Sequence, residues 1–549
     1  MIFQGARAWR NKYLLWLIFS VILVCLPMCS PDATMMYMQD MLFHMNRIEG
    51  IKESLLAGQF PVRIQGYQMD GYGYAAGVFY PGLFLYFPAV LRLLGIPVGL
   101  SYNLFILFIQ VLTAGFAYYA FTLFFRSHKM GAVAASLYVL CGYRLYNIFI
   151  RGDVGEAAAM AFLPLALFSV YDVLYRNSSR WWLVILSYTG LLETHLLTSM
   201  VCIIYAFVLL GIRAIQRREI FWKKIFSVLG ITFLLNAWFL IPFLDFYFHV
   251  AVNIQASLTS IQEKGHSLLE VVWLLAVWHT GLIFGMALCG YYQRKHELTV
   301  PLRKWWAAAF LLVWMVTYWF PWDLFSRIPF LSTVIQTLQY PWRMYEYAAI
   351  VFTCLAAWGL FTWAERKNWK ECSAVVCLYA AVFFAIQIYT TGFWISTKEY
   401  NEPLPSDYIA LGFAYDYLPR GVDDRMAKQM SGKLDTTADI QDIRKIGTTM
   451  DFSYASDADA EATAALTCYP GYQAVDEQGN PLTLGEDEWH RLTVQLPAGS
   501  HWVHISYEEK PGYLAADGIS VLTLFGLAGY IYRRRKAIQE DWRNIDRVS

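Results

Sequence analysis

Asp40, His44 and Arg47 stand at i, i+4 and i+7 in the run Asp40-Met-Leu-Phe-His44-Met-Asn-Arg47. On a helix that spacing puts all three on one face. A carboxylate, an imidazole and a guanidinium held together suit proton transfer and the binding of a phosphate-like anion. The same spacing also suits a plain solvated helix face, so the surrounding elements decide between the two readings.

Those elements belong to a membrane. The 549-residue chain is 57% hydrophobic and 17% aromatic with only 15% charged residues, and its repeated long apolar runs read as membrane helices. A net charge of +1 gives no reason to expect a nucleic-acid partner. Most of the nine cysteines fall in apolar runs, where they act as small hydrophobes, and no disulfide or metal spacing is visible. Arg7, Arg10 and Lys12 precede the first apolar run. Leu26-Pro-Met-Cys29 fits a lipoprotein cleavage site poorly, so a retained first transmembrane helix is expected.

Spans are expected near 13–29, 101–125, 129–149, 156–176, 181–194, 197–213, 225–243, 268–292, 303–320, 344–364, 371–391 and 514–532, about twelve in all. The apolar stretch 80–92 carries Pro81, Pro88 and Arg92 and reads as an interfacial helix instead. With the N-terminus inside, the basic clusters at Arg126/Lys129, Arg176/Arg180, 213–224, 294–304, 366–370 and 533–536 all fall on the cytoplasmic side, as the positive-inside rule requires. Both termini are then cytoplasmic.

The expected organisation is a polytopic α-helical membrane domain (1–393), whose first outer loop (30–100) bears interfacial helices. An extracytoplasmic β-sandwich-like domain (394–511) follows, then a final span with a basic tail (512–549). The β reading rests on alternation in Leu492-Thr-Val-Gln-Leu and His501-Trp-Val-His-Ile-Ser, and on the turn signal at 476–481. Asp457-Ala-Asp459 has the form of a nucleotide-sugar motif but lies in this β region with no βαβ unit, and is set aside.

Under this topology the ionisable residues at helix mouths gather on the side of Asp40. They are Arg144, Arg151, Asp153, Glu156, Glu193, His195 and Arg343, and charges at membrane depth line cavities or form ion pairs. One outer polar cavity built from the first loop and these helix ends is expected. Each residue also has a plain alternative, such as an anchoring arginine or a hydrogen-bonded histidine.

The stretch Asp40-x-x-Phe43-His44-x-x-Arg47, then Gly58-Gln-Phe60-Pro61-Val-Arg63, then Phe79-Tyr-Pro81 resembles a bacterial membrane family labelled 6-pyruvoyl-tetrahydropterin synthase-related. Arg151-x-x-x-Gly155-Glu156, Thr194-His195 and Gln339-Tyr-Pro-Trp-Arg343 extend the resemblance. Nothing in the sequence suggests pterin chemistry. The pattern is also similar to GT-C membrane glycosyltransferases, although Gly82 stands where some relatives carry a second proline.

This resemblance implies a bacterial enzyme that transfers a sugar from a polyprenyl-phosphate donor to an envelope or cell-wall acceptor at the outer membrane face. Asp40, His44 and Glu156 would be catalytic, while Arg47, Arg63, Arg144, Arg151, His195 and Arg343 would hold substrate or phosphate. A Mg²⁺ or Mn²⁺ ion, if used, would sit on Asp40 and Glu156. A transporter or flippase for lipid-linked sugars and a non-catalytic envelope assembly protein are the alternatives.

Overall fold

A computed structural model of the protein describes residues 12–26, 38–176, 178–253, 260–278, 280–298, 300–368, 370–374, 377, 381, 416–422 and 433–545. Helix α1 (Lys12–Cys25) is followed by α2 (Met41–Leu56), the helix carrying His44 and Arg47 with Asp40 at its N-cap. The proline-bearing stretch forms a short helix, α3 (Tyr86–Leu93), as its prolines and amphipathic pattern require. Then come α4 (Val98–Phe125), α5 (His128–Val139), α6 (Gly142–Tyr146) with a π-helical turn over Asn147–Arg151, and α7 (Val154–Tyr175). Further on are α8 (Trp181–Leu192), α9 (Leu196–Ile215), α10 (Trp222–Leu235), α11 (Ala237–His249), α12 (Leu268–Trp278), α13 (Thr280–Arg294), α14 (Arg303–Val316), α15 (Met344–Ala364) and α16 (Pro511–Arg543).

Among the described residues five helices are long and apolar enough to cross a membrane, namely α4, α7, α9, α15 with its preceding turn, and α16. Counting each of two bent pairs as one span gives up to seven: α5 with 142–151, bent by 41°, and α10 with α11, bent by 78°. The span expected at 181–194 is a short helix, α8, of 12 residues. The region expected as a span at 268–292 is helical on both sides of residue 279, in α12 and α13. Most of the span expected at 371–391 lies outside the described residues.

Helix α7 is the hub of the bundle, buried along almost its whole length. It packs against α4, α8 and α9 in one large apolar core. A smaller core joins α2 (Met41, Met45, Ile48, Ile51) to α4 and to the first turn of α7, which fixes Asp40 against the mouth of α7. Gly152, at φ +68°, makes the turn between the π-helical segment and α7. A side chain there would collide with Met38 and Met41.

The C-terminal β region consists of two four-stranded antiparallel sheets. Their orders are β1-β4-β7-β6 and β2-β3-β8-β5, with β1 Asp435–Thr436, β2 Asp439–Ile446, β3 Thr449–Ser456, β4 Ala460–Thr467, β5 Tyr472–Asp476, β6 Leu484–Glu486, β7 Arg491–Leu496 and β8 Gly499–Tyr507. Alternate residues such as Met450, Phe452, Val494, Val503 and Ile505 face a shared core, as period-two strands packed face to face demand. The expected turn forms at Asp476, whose carboxylate accepts the backbone N–H groups of Gln478 and Asn480. Asp459 accepts the backbone N–H of Ala498, a structural use of the set-aside motif.

The first loop contributes Ile64, Tyr72, Tyr74 and Phe79 to the β-region core. Lys445 of β2 donates to the carbonyls of Gly71 and Ala465, and Thr467 N–H bonds Tyr72 O. The β region is therefore docked on the loop that carries Asp40.

Candidate functional site

The centre of the site is Arg151. It ends the π-helical turn, a distortion that often marks functional positions, and its guanidinium points to the start of α7. Its Nη2 lies 2.9 Å from Asp153 Oδ2, and its Nη1 lies 2.9 Å from both Glu156 Oε2 and Asn147 Oδ1. Asp153 caps α7 by accepting the Glu156 backbone N–H at 3.0 Å. Both carboxylates therefore also gain from the positive end of the helix. Glu156 is fully buried, and its Oε1 accepts the Tyr143 hydroxyl at 2.6 Å and the Asn147 amide at 2.9 Å.

Three further groups close around this core. Arg343 brings its Nε to 3.7 Å from Glu156 Oε2 and donates to Gln339 Oε1 at 3.1 Å. The Tyr80 hydroxyl donates to Asp153 Oδ1 at 3.4 Å. Gly155 makes room for that hydroxyl, since a Cβ there would stand 1.9 Å from it. His195 donates to or accepts from Thr198 at 2.8 Å, and Thr198 in turn bonds Glu346 at 3.1 Å.

Asp40 sits at the rim. Its backbone N–H bonds Arg151 O at 2.6 Å, and its Oδ2 lies 3.8 Å from Arg151 Nη2. Its side chain is 38% exposed, in contrast to Glu156. Burial and the neighbouring Asp153 charge push its carboxyl up to about 6, against the opposing pull of Arg151 and Arg343. For Asp153, burial pushes upward, but Arg151 and the other cationic neighbours prevail and hold it below the usual carboxylate range. Burial, with Arg47 next, lowers His44 to about 3, and burial lowers His195 to about 4, so both imidazoles are neutral at pH 7.

The sequence expectation of one cavity thus divides. Asp40, Arg151, Glu156, His195 and Arg343 come together, with His44 one turn along from Asp40. The ring of His44 lies against Phe43 and Tyr80, and its Nδ1 has no hydrogen-bond partner. Arg47 is close but not open to an anion, because its Nη2 donates to the carbonyls of Tyr80 and Pro81 at 2.7 and 3.0 Å. Its guanidinium carbon also lies 4.6 Å from the centre of the Tyr80 ring. Arg144 is turned the other way, donating to Gln110, Thr113 and the Val139 carbonyl. Arg63 pairs with Asp517 and Glu509, and Glu193 bonds the Trp238 indole. These three leave the group because an alternative polar partner lies nearer to each.

Tyr80, Tyr143, Asn147, Thr198, Gln339 and Glu346 are site residues that the sequence reading did not single out. Asn147 stands four residues before Arg151, so the spacing carried a signal for it, whereas Gln339, at φ +63°, reaches Arg343 across a turn. Glu346 had none, being one acid in an apolar run.

The expected metal pair, Asp40 with Glu156, is not the set with metal-like spacing. Among the described residues that set is Asp153, Glu156 and His195, whose ligand atoms lie within 4.8 Å of one another. The inner oxygens of Asp153 and Glu156 are already engaged by Arg151, Tyr143, Asn147 and a backbone N–H. A guanidinium occupies the place a divalent cation would take, so the donor set does not fit a resident metal.

The family described as the 6-pyruvoyl-tetrahydropterin synthase related domain, a family of membrane proteins, matches residues 78–396, more than half of the chain. The chain belongs to this family. It is therefore a membrane protein, in agreement with its long apolar helices. The family region holds Arg151, Asp153, Glu156, His195 and Arg343, whereas Asp40 and the β region lie outside it. No curated protein matches the sequence.

Proposed function

We propose that this family member is a membrane glycosyltransferase that takes a sugar from a polyprenyl-phosphate donor to an envelope acceptor. The observation that carries the reading is Asp40: a rim carboxylate raised to about 6, 3.8 Å from a guanidinium and backed by a second arginine. A general base works best when its pKa lies near the operating pH.

In this mechanism Asp40 accepts the proton of an acceptor hydroxyl as that oxygen bonds to the anomeric carbon. The bond from that carbon to the phosphate oxygen breaks, and polyprenyl phosphate leaves with the electron pair. Arg343 meets the developing phosphate charge, since Arg151 is committed to Asp153 and Glu156. No step passes through a metal.

The proposed placement keeps about twelve spans, both termini in the cytoplasm, and the site and β region outside. The β region, docked on the Asp40 loop, then lies on the acceptor side. The 78° break between α10 and α11 favours a second reading, a flippase for the same lipid-linked sugar, because broken helices recur in transporters. Liposomes holding the purified protein and a synthetic polyprenyl-phosphate sugar separate the two. Sugar transfer to an added acceptor, lost in Asp40→Asn, supports the transferase. Donor translocation without transfer overturns it.

A further inference from the structure

A chain of hydrogen bonds runs from the Arg151 cluster into the helix bundle. His195, the residue before α9, places its Nδ1 2.8 Å from the Thr198 hydroxyl one turn along. That hydroxyl lies 3.2 and 3.1 Å from the two carboxyl oxygens of Glu346, on α15. All three side chains are buried. The same imidazole has a nitrogen within 4.8 Å of oxygens of both Asp153 and Glu156.

The Thr198 hydroxyl has one proton to give and stands between two groups that can take it. If Glu346 is ionised, Thr198 donates to it, and His195 must carry its proton on Nδ1 to complete the chain. Nε2 is then a bare lone pair. If Glu346 keeps its proton, every bond reverses. Glu346 donates to Thr198, Thr198 donates to Nδ1, and the neutral ring carries its proton on Nε2.

Charge decides between the two. Among the described residues Glu346 has no hydrogen-bond partner but Thr198 and no ion pair. Arg343, one turn before it, lies 3.7 Å from Glu156, and the charges of Glu156 and Asp153 oppose a further carboxylate beside them. A buried carboxylate with no cation of its own is costly at membrane depth, so the protonated form is favoured. An Nε2–H also suits a ring set near two carboxylates, where a lone pair would be repelled.

We infer that Glu346 is a positioning residue: as a neutral carboxylic acid acting through Thr198, it holds His195 as an N–H donor to the site. In the proposed transfer, and resting on that reading, this Nε2–H joins Arg343 in meeting the departing phosphate.

Three readouts on the full-length protein in proteoliposomes test this. Infrared difference spectra between wild type and Glu346→Gln should show the loss of a protonated-carboxyl C=O band. NMR of ring-nitrogen-labelled histidine, with His195 assigned by its absence in His195→Gln, should show Nε2 protonated and Nδ1 bare. In transfer from a synthetic polyprenyl-phosphate sugar, Glu346→Leu and Thr198→Val should each lower kcat about tenfold, the scale of one charge-assisted hydrogen bond, with KM near wild type. Glu346→Gln should restore most of the rate, because its amide donates to Thr198 as the acid does. Thr198→Val carries the kinetic test if Glu346→Leu does not fold. Loss of a carboxylate band in place of the acid band, a His195 proton on Nδ1, or no rescue by Glu346→Gln overturns the proposal. The spectra decide where the protons lie even if the wild type transfers nothing, a result that overturns the transferase reading instead.

Discussion

Two buried arginines, Arg151 and Arg63, organise two acidic groups in different ways. Around Arg151 each inner oxygen has a partner, and Arg343 adds a second cation beside Glu156. What remains unmatched is Asp40, at the rim, and its carboxyl is the one pushed upward among Asp40 and Asp153. Around Arg63 a single cation serves Asp517 and Glu509, while Glu193 is held by the Trp238 indole through one oxygen. The first group is closed on itself and leaves one carboxylate, Asp40, at its rim. The second holds fewer partners than acceptors, with oxygens of Glu193, Glu509 and Asp517 outside any hydrogen bond.

The largest expected effect comes from unbalancing the closed group. Arg151→Ala leaves Asp153 and Glu156 buried and unpaired, and should cost about 3–5 kcal/mol. The readout is loss of folded protein in detergent, followed by thermal unfolding and size-exclusion chromatography. Unfolding close to wild type would mean the carboxylates find other partners, and the contrast with the Arg63 group would fail.

Asp40→Asn should act on chemistry rather than folding. Sugar transfer should fall by about 10²–10⁴-fold, with protein abundance unchanged. In the native protein activity should rise with pH through about 6, as Asp40 loses its proton. The stability sign is opposite. The folded state holds this proton more tightly than the unfolded chain, so ionisation near neutral pH opposes folding. At pH 7 the variant should be more stable by about 1 kcal/mol, after allowance for solvent screening of an exposed carboxylate. A pH profile unaltered by the substitution removes Asp40 from catalysis.

The local elements around the two arginines were legible in the sequence, for reasons that can be named. The Asp40–His44–Arg47 face, the proline-broken helix and the alternating β7 and β8 strands follow from local periodicity, and the structure contains each. Arg151 with Glu156 was legible because a cap and a first turn hold them within a few residues. The partition of the charged residues was not. Whether Arg144 turns to Arg151 or to Gln110 and Thr113 depends on how α4 packs beside it. Whether Arg63 meets a phosphate or Asp517 depends on a contact 454 residues away in sequence. The helix breaks at 141 and 236 depend on packing as well, and they bend apolar runs that read as continuous.

In the Arg63 group, Glu193→Gln should be stabilising, by about 2 kcal/mol at pH 7–8, because the amide cannot ionise and so escapes the cost of a buried carboxylate. Burial raises the Glu193 carboxyl to about 8. The folded state therefore keeps its proton, and native stability should decline as pH rises from the usual glutamate range through 8. The variant should flatten that decline. Unfolding midpoints between pH 5 and 9 measure it, and parallel curves for the two proteins would show that Glu193 is already matched.

Arg144→Met gives the smallest effect and separates the two kinds of arginine. Arg144 is fully buried yet bonded only to neutral acceptors, Gln110, Thr113 and the Val139 carbonyl. Removing it strands no carboxylate; it frees the Gln110 amide oxygen, the Thr113 hydroxyl and the Val139 carbonyl while relieving a costly buried cation. These terms oppose one another, so the net loss should be about 1 kcal/mol, with sugar transfer within a factor of about 2 of wild type. If transfer collapses while folding is intact, Arg144 belongs with the Arg151 group after all. The line between arginines that balance the site and arginines that only hold helices together would then need redrawing.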